Sequence, residues 1–114
     1  MPLQGTCRDV GDVVVVDFSG KITLGEASAT LRRTIRELVD NGRRKILLNL
    51  SDVDYIDSSG IGELVGAFTT VRGANGDLKL VYLTKRVHDI LQITRLYLVF
   101  DVQTDEATAV NSFR

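Results

Sequence analysis

Two adjacent serines, Ser58 and Ser59, stand in DYIDSSGIGELV, residues 54–65, between an acidic flank and an apolar run of helical spacing. Three roles are open to them: starting a helix, acting as a nucleophile, or accepting a modification. Catalysis of the Ser-His-Asp kind needs a base, yet the one histidine, His88, lies in a separate helical stretch and no G-x-S-x-G elbow is present. Serine hydrolysis is therefore the weaker reading, and no enzyme is expected. Asp52, Asp54 and Asp57 carry the oxygen chemistry of magnesium ligands, but acids ahead of a helix more often form solvated turns. His88 has no second His or Cys at metal-ligand spacing, so it reads as structural or surface-exposed. Neither a G-x-G-x-x-G fingerprint nor a Lys-bearing phosphate loop occurs, although Gly60 and Gly62 open a helix after a strand. No metal and no cofactor is expected.

As a helix start the turn is over-supplied. Ser58 or Ser59 as N-cap would accept a hydrogen bond from an unpaired first-turn amide, which requires one serine and not two. Ile61 and Gly62 occupy the positions three residues on, so neither serine completes a capping box. Gly60 and Gly62 each cost about 1 kcal/mol relative to alanine in a helix interior, and less at its end. Such small residues leave backbone amides open to a partner. The turn reads equally as a cap and as a docking or modification surface.

The elements that position it follow from periodicity. GDVVVVDFSG is a β-branched run bounded by glycines, a strand buried on both faces, with residues 1–9 as a short edge strand before it. In ITLGEASATLRRTIRELVDNG, residues Ala27, Leu31, Thr34, Ile35, Leu38 and Val39 share one helical face. Thr23 and Glu26 have capping-box spacing there, Ile22 and Ala27 could staple the entry, and Asn41-Gly42 supplies the stop. KILLNL is a second buried strand, and Ile61, Leu64, Val65, Phe68 and Val71 line the helix after it. Gly73, Asn75 and Gly76 break the chain before the strand LKLVYL, and KRVHDILQIT places Val87, Ile90 and Leu91 at helical spacing. A final strand YLVFDV leads to a helix from Asp105 to about Ser112, with Ala107 and Val110 inward and a fraying tail. Strands alternating with helices predict right-handed crossovers and a mainly parallel α/β sheet.

Composition narrows the function. The 114 residues suit one domain, 1–114, and a hydrophobic share of 44% with 25% charged residues is that of an ordinary globular chain. A net charge of −1 with scattered basic residues argues against nucleic-acid binding. Cys7 is the only cysteine, which excludes an internal disulfide; with no signal peptide, it reads as a buried or inert thiol in a reducing cytoplasm. The longest apolar runs fall far short of the ~20 residues that span a bilayer, so no membrane insertion is expected.

LNLSDVDYIDSSGIGELV closely resembles the signature of the STAS domain, in particular of bacterial anti-sigma factor antagonists. VVVVDFSGKI, NGRRKILLNL, GDLKLVYL and VHDILQIT extend the likeness over nearly the whole chain. The resemblance implies a four- to five-stranded sheet, mainly parallel, with an antiparallel N-terminal strand and helices packed along it. It also implies a phosphoserine at the first serine of D-S-S-G, here Ser58, made by a partner that is both anti-sigma factor and serine kinase. The unphosphorylated protein would bind that partner and release a sigma factor, and a serine phosphatase would restore the complex after phosphorylation. Asp57 would orient the loop, Ser59 cap the helix, and Gly60 and Gly62 permit close approach, with Thr23 and Glu26 on the docking face. A monomer or weak dimer is expected. Two residues depart from the family pattern: Thr23 stands where members often carry an acid, and Arg95 where many have glycine. The alternative is a STAS subunit of another signalling or transport complex, without regulated phosphorylation.

Overall fold

Residues 2–113 are described by the computed structural model. Valines at 13–16 are all buried, which requires protein on both faces of their strand and places it inside a sheet. Strand β1 (Gln4–Val10) pairs antiparallel with β2 (Val13–Ile22), and β2 pairs in parallel with β3 (Lys45–Ile56). Strands β4 (Asp77–Val81) and β5 (Asp101–Gln103) complete the sheet in sequential order, both parallel. The edge strand read over residues 1–9 is thus present, with Met1 outside the described residues.

Side-chain alternation sorts the sheet into two cores. Val14, Val16, Ile46, Leu48, Leu78 and Leu80 face helices α1 (Glu26–Asp40), α2 (Ser58–Gly73) and α3 (Lys85–Ile93), meeting Leu31, Ile35, Leu64, Val71, Val87 and Leu91. Val13, Val15, Leu47 and Val81 face the other way, against Ala109 and Phe113 in and after α4 (Glu106–Asn111). Lys79 is buried on this second face; its ammonium donates to the Ser112 carbonyl at 3.0 Å and hydroxyl at 2.8 Å and pairs with Asp101 at 3.0 Å. A buried charge is tolerated because every donor finds an acceptor.

Several sequence expectations change. The strand expected to stop at Gly20 runs on to Ile22, and β3 continues past KILLNL through Ser51–Ile56, so Asp52 and Asp54 lie in a strand and not a loop. In that extension Val53 and Ile56 are buried while Asp52 and Asp54 are exposed, the pattern of a strand wet on one side. YLVFDV is not a continuous strand: Leu96–Leu98 form a 3₁₀ turn and only Asp101–Gln103 pair with β4. Arg95 enters that turn at φ 61°, the left-handed conformation that glycine adopts freely. In α4 it is Ala109 that is buried, Val110 is half-buried, and Ala107 is exposed. Phe113 is buried, so the chain stays docked to that residue.

Candidate functional site

The C-terminal ends of β2 and β3 lie side by side, with Ile22 opposite Ile56. The chain therefore leaves β3 into α2 next to the loop that leaves β2 into α1, and one carboxylate joins the two exits. Asp57 Oδ1 accepts a hydrogen bond from the Gly60 amide at 2.8 Å, capping α2, and Oδ2 accepts from the Leu24 amide at 3.0 Å. Its own backbone N–H donates to the Ile22 carbonyl at 3.2 Å. The amides, Gly60 first and Leu24 next, hold the Asp57 carboxyl below its ordinary value, because each favours the ionised acceptor. Asp57 thus takes the capping role that the sequence offered to Ser58 or Ser59 and ties the two loops together.

Both serines are thereby released from that task. Ser58 is the first residue of α2 and Ser59 the second, not the cap. The Ser58 side chain is exposed, and neither hydroxyl makes a hydrogen bond to any described residue. Gly60 is buried with its Cα against β2: a Cβ there would lie 2.2 Å from the Ile22 carbonyl oxygen and 2.6 Å from Ile56. Its smallness serves the protein's own packing, whereas Gly62 faces open space.

Thr23 and Glu26 do not form the expected capping box. The N-cap of α1 is Gly25, φ 100°, with no side chain over the first amides, and the Thr23 carbonyl instead accepts from the Ser28 amide at 3.2 Å and hydroxyl at 2.8 Å. Gly25, at a positive φ that glycine adopts freely, occupies the N-cap position in place of Thr23. Thr23 is half-buried and Glu26 exposed, both within two residues of the Leu24 amide that Asp57 holds.

Beside Ser58 opens a cleft of about 340 Å³ between the end of β3, α2 and α3. Tyr55, Ile56, Ile61, Ile90 and Thr94 line it with Asp57, Ser58 and Arg86. The Arg86 guanidinium sits 4.7 Å from the centre of the Tyr55 ring. Leu24 and Ile93, next in sequence to residues of this region, are each 77% exposed. Sequence reasoning missed Tyr55, Arg86, Ile90 and Leu24 as members of the site. Helical spacing marked Ile90 as a core residue, and only the meeting of α3 with the end of β3 makes it a wall.

The remaining candidates stand apart from this cleft's walls. His88 is exposed, its Nδ1 3.5 Å from Asp89. Asp54 pairs with Lys21 at 3.2 Å, and no group of three or more His, Cys, Asp or Glu side chains suited to a metal gathers among the described residues. Of the two alternatives read for Cys7, buried or inert, burial does not hold: it is exposed on β1, and partial desolvation raises its thiol pKa. No described helix is long and apolar enough to cross a membrane.

A five-stranded sheet of this order, with a D-S-S-G turn capping the helix after the central strand, defines a class. Residues 6–109 match the STAS domain model. The anti-sigma-B factor antagonist of Bacillus subtilis is 34% identical over 89 residues, covering 78% of this chain and 80% of that protein. A candidate anti-sigma factor antagonist of Thermotoga maritima, solved by crystallography, superposes with a TM-score of 0.88 at 25% identity, covering 96% and 94% of the two chains. The Bacillus cell fate determinant SpoIIAA in its phosphorylated form shares the fold, with a TM-score of 0.71 at 21% identity over 95% and 97% of the chains. The chain belongs to the STAS domain family, and within it to the anti-sigma factor antagonist type.

Proposed function

We propose that this protein is a phosphorylation-switched antagonist that binds an anti-sigma factor when Ser58 is unmodified and releases it when Ser58 carries phosphate. The partner on this reading is an anti-sigma factor that is also the serine kinase, and a serine phosphatase in the same cytoplasm resets the switch. The Ser58 hydroxyl carries the proposal: it is exposed and unbonded at the start of α2 while Asp57 does the capping beside it. A hydroxyl with no structural duty is free to attack the γ-phosphorus of a kinase-bound ATP, giving its proton to the kinase's base as ADP departs.

The same position explains why the modification would alter binding without altering the fold. Phosphate adds about −1.5 to −2 charge and three acceptor oxygens, which the amides and dipole at a helix N-terminus tolerate in water. Packed under a partner beside the Asp57 carboxylate, that charge must be desolvated, at a cost of several kcal/mol. Each 1.4 kcal/mol is tenfold in affinity, so a hundredfold loss needs only about 3 kcal/mol. Exposed Leu24 and Ile93 and the apolar cleft offer the partner surface that unmodified Ser58 leaves accessible. Incubation with ATP and the cognate anti-sigma factor, followed by peptide mass spectrometry, tests the proposal. One phosphate on Ser58, absent from Ser58→Ala, is expected; no phosphate on Ser58 overturns it.

A further inference from the structure

Among the described residues, Arg86 is the only basic one that lines the cleft beside Ser58. It makes no hydrogen bond or ion pair with any described residue, and its guanidinium rests on the Tyr55 ring. The other charges nearby are committed. Asp57, on the Ser58 turn, is held by the Gly60 and Leu24 amides, and Lys21 of β2 pairs with Asp54 of β3. On α3, Lys85 pairs with Asp89 at 2.8 Å, and His88 also faces that carboxylate. A guanidinium on a flexible stem, stacked on an aromatic face and lacking an anion, is a donor fork in reserve.

We propose that Arg86 receives the phosphate on Ser58: on phosphorylation its guanidinium leaves the Tyr55 ring and bridges to the phosphate oxygens across the mouth of the cleft. This rests on Ser58 being the phosphoacceptor and adds what the modification does next. Arg–phosphate pairing is charge-assisted and bidentate, a geometry that lysine does not reproduce. The bridge joins the start of α2 to α3 and covers the apolar walls at Ile61 and Ile90. The phosphorylated protein therefore loses the cleft as well as gaining charge, and a partner that seats an apolar side chain there meets a closed door.

The test installs phosphoserine at position 58 through a recoded stop codon, so that no kinase is needed, and follows the phosphate by ³¹P NMR as pH is varied. Wild type, Arg86→Gln and Arg86→Lys are compared, each first checked by thermal melting in its unphosphorylated form. A cation bridged to the phosphate favours the dianion, so the second ionisation in wild type should fall about half a pH unit or more below that of Arg86→Gln, with Arg86→Lys between them. A Gln variant whose midpoint lies less than about half a unit above wild type overturns the bridge. Failure of the cognate kinase to modify Ser58 would count against the proposed function alone, because the titration reports on Arg86 whichever way that experiment falls.

Discussion

Helix α1 is preceded by the N-cap Gly25 with no side chain over its first amides, whereas α2 is preceded by the N-cap Asp57 with a carboxylate oxygen 2.8 Å from the Gly60 amide. The two starts lie next to each other because β2 and β3 end together, and the second oxygen of Asp57 reaches the Leu24 amide in the entry loop of the first. One carboxylate thus serves both turns. The side chains that look like caps, Thr23 before α1 and the two serines in α2, are left without that work. At the first turn the consequence is a loop held from outside; at the second it is an exposed Ser58 hydroxyl in a turn that is rigid without it.

The comparison can be broken most severely at Gly60. Gly60→Ala puts a methyl group 2.2 Å from the Ile22 carbonyl oxygen, where backbone must move, and should destabilise by about 3 kcal/mol or more in urea unfolding. Gly62→Ala, with nothing within 4 Å of the added carbon, should be neutral or stabilising by up to about 1 kcal/mol.

Asp57→Ala comes next, lowering Tm by several degrees. Its distinctive signature is loss of hydrogen-exchange protection at both Leu24 and Gly60, since both amides lose the same acceptor. Protection of Gly60 alone being lost would show that the two turns are independent. Asp57→Asn should keep one amide and lose the other, because the carboxamide offers a single acceptor oxygen.

Acid should reproduce the Asp57→Ala pattern. The folded Asp57 pKa is depressed below the ordinary value of 3.8, so its contribution is present above that value and disappears as pH falls through the lower folded one. Both amides should therefore remain protected at mildly acidic pH and lose protection together below the usual carboxylate range.

The smallest effects belong to the hydroxyls. Ser58→Ala and Ser59→Ala should each change stability by no more than about 0.5 kcal/mol, as expected for side chains with no bond to lose. A substantially larger loss from Ser59→Ala would restore it as a cap.

The alternation of strands and helices was legible from a 3.6-residue spacing in α1 and from short apolar runs, four valines and KILLNL, whose length, β-branched content and flanking glycines favour strands. The second half of β3 was hidden because SDVDYI alternates exposed acids with buried Val53 and Ile56 on a strand wet on one side, which resembles a polar loop. YLVFDV misled in the opposite sense. Its aromatic and branched residues have strand character, but Leu98 is 73% exposed at the sheet's edge and Arg95 turns the backbone left-handed before any pairing begins. Within the site, the D-S-S-G turn was visible, but the division of labour in it was not. Whether Asp57, Ser58 or Ser59 caps depends on where the Ile22 carbonyl and Leu24 amide arrive from a segment 33 residues away in sequence. Arg86 was invisible for the same reason, since its meaning comes from standing over Tyr55 of another element.

The central claim is that phosphate on Ser58 changes binding and not folding. Isothermal titration of the cognate anti-sigma factor into unmodified protein and into protein carrying phosphoserine at position 58, with Tm measured for both, tests it most directly. The expected result is an affinity loss of about a hundredfold or more with Tm shifted by no more than a few degrees. Equal affinities for the two forms, or a phosphorylated form that is simply unfolded, would contradict it.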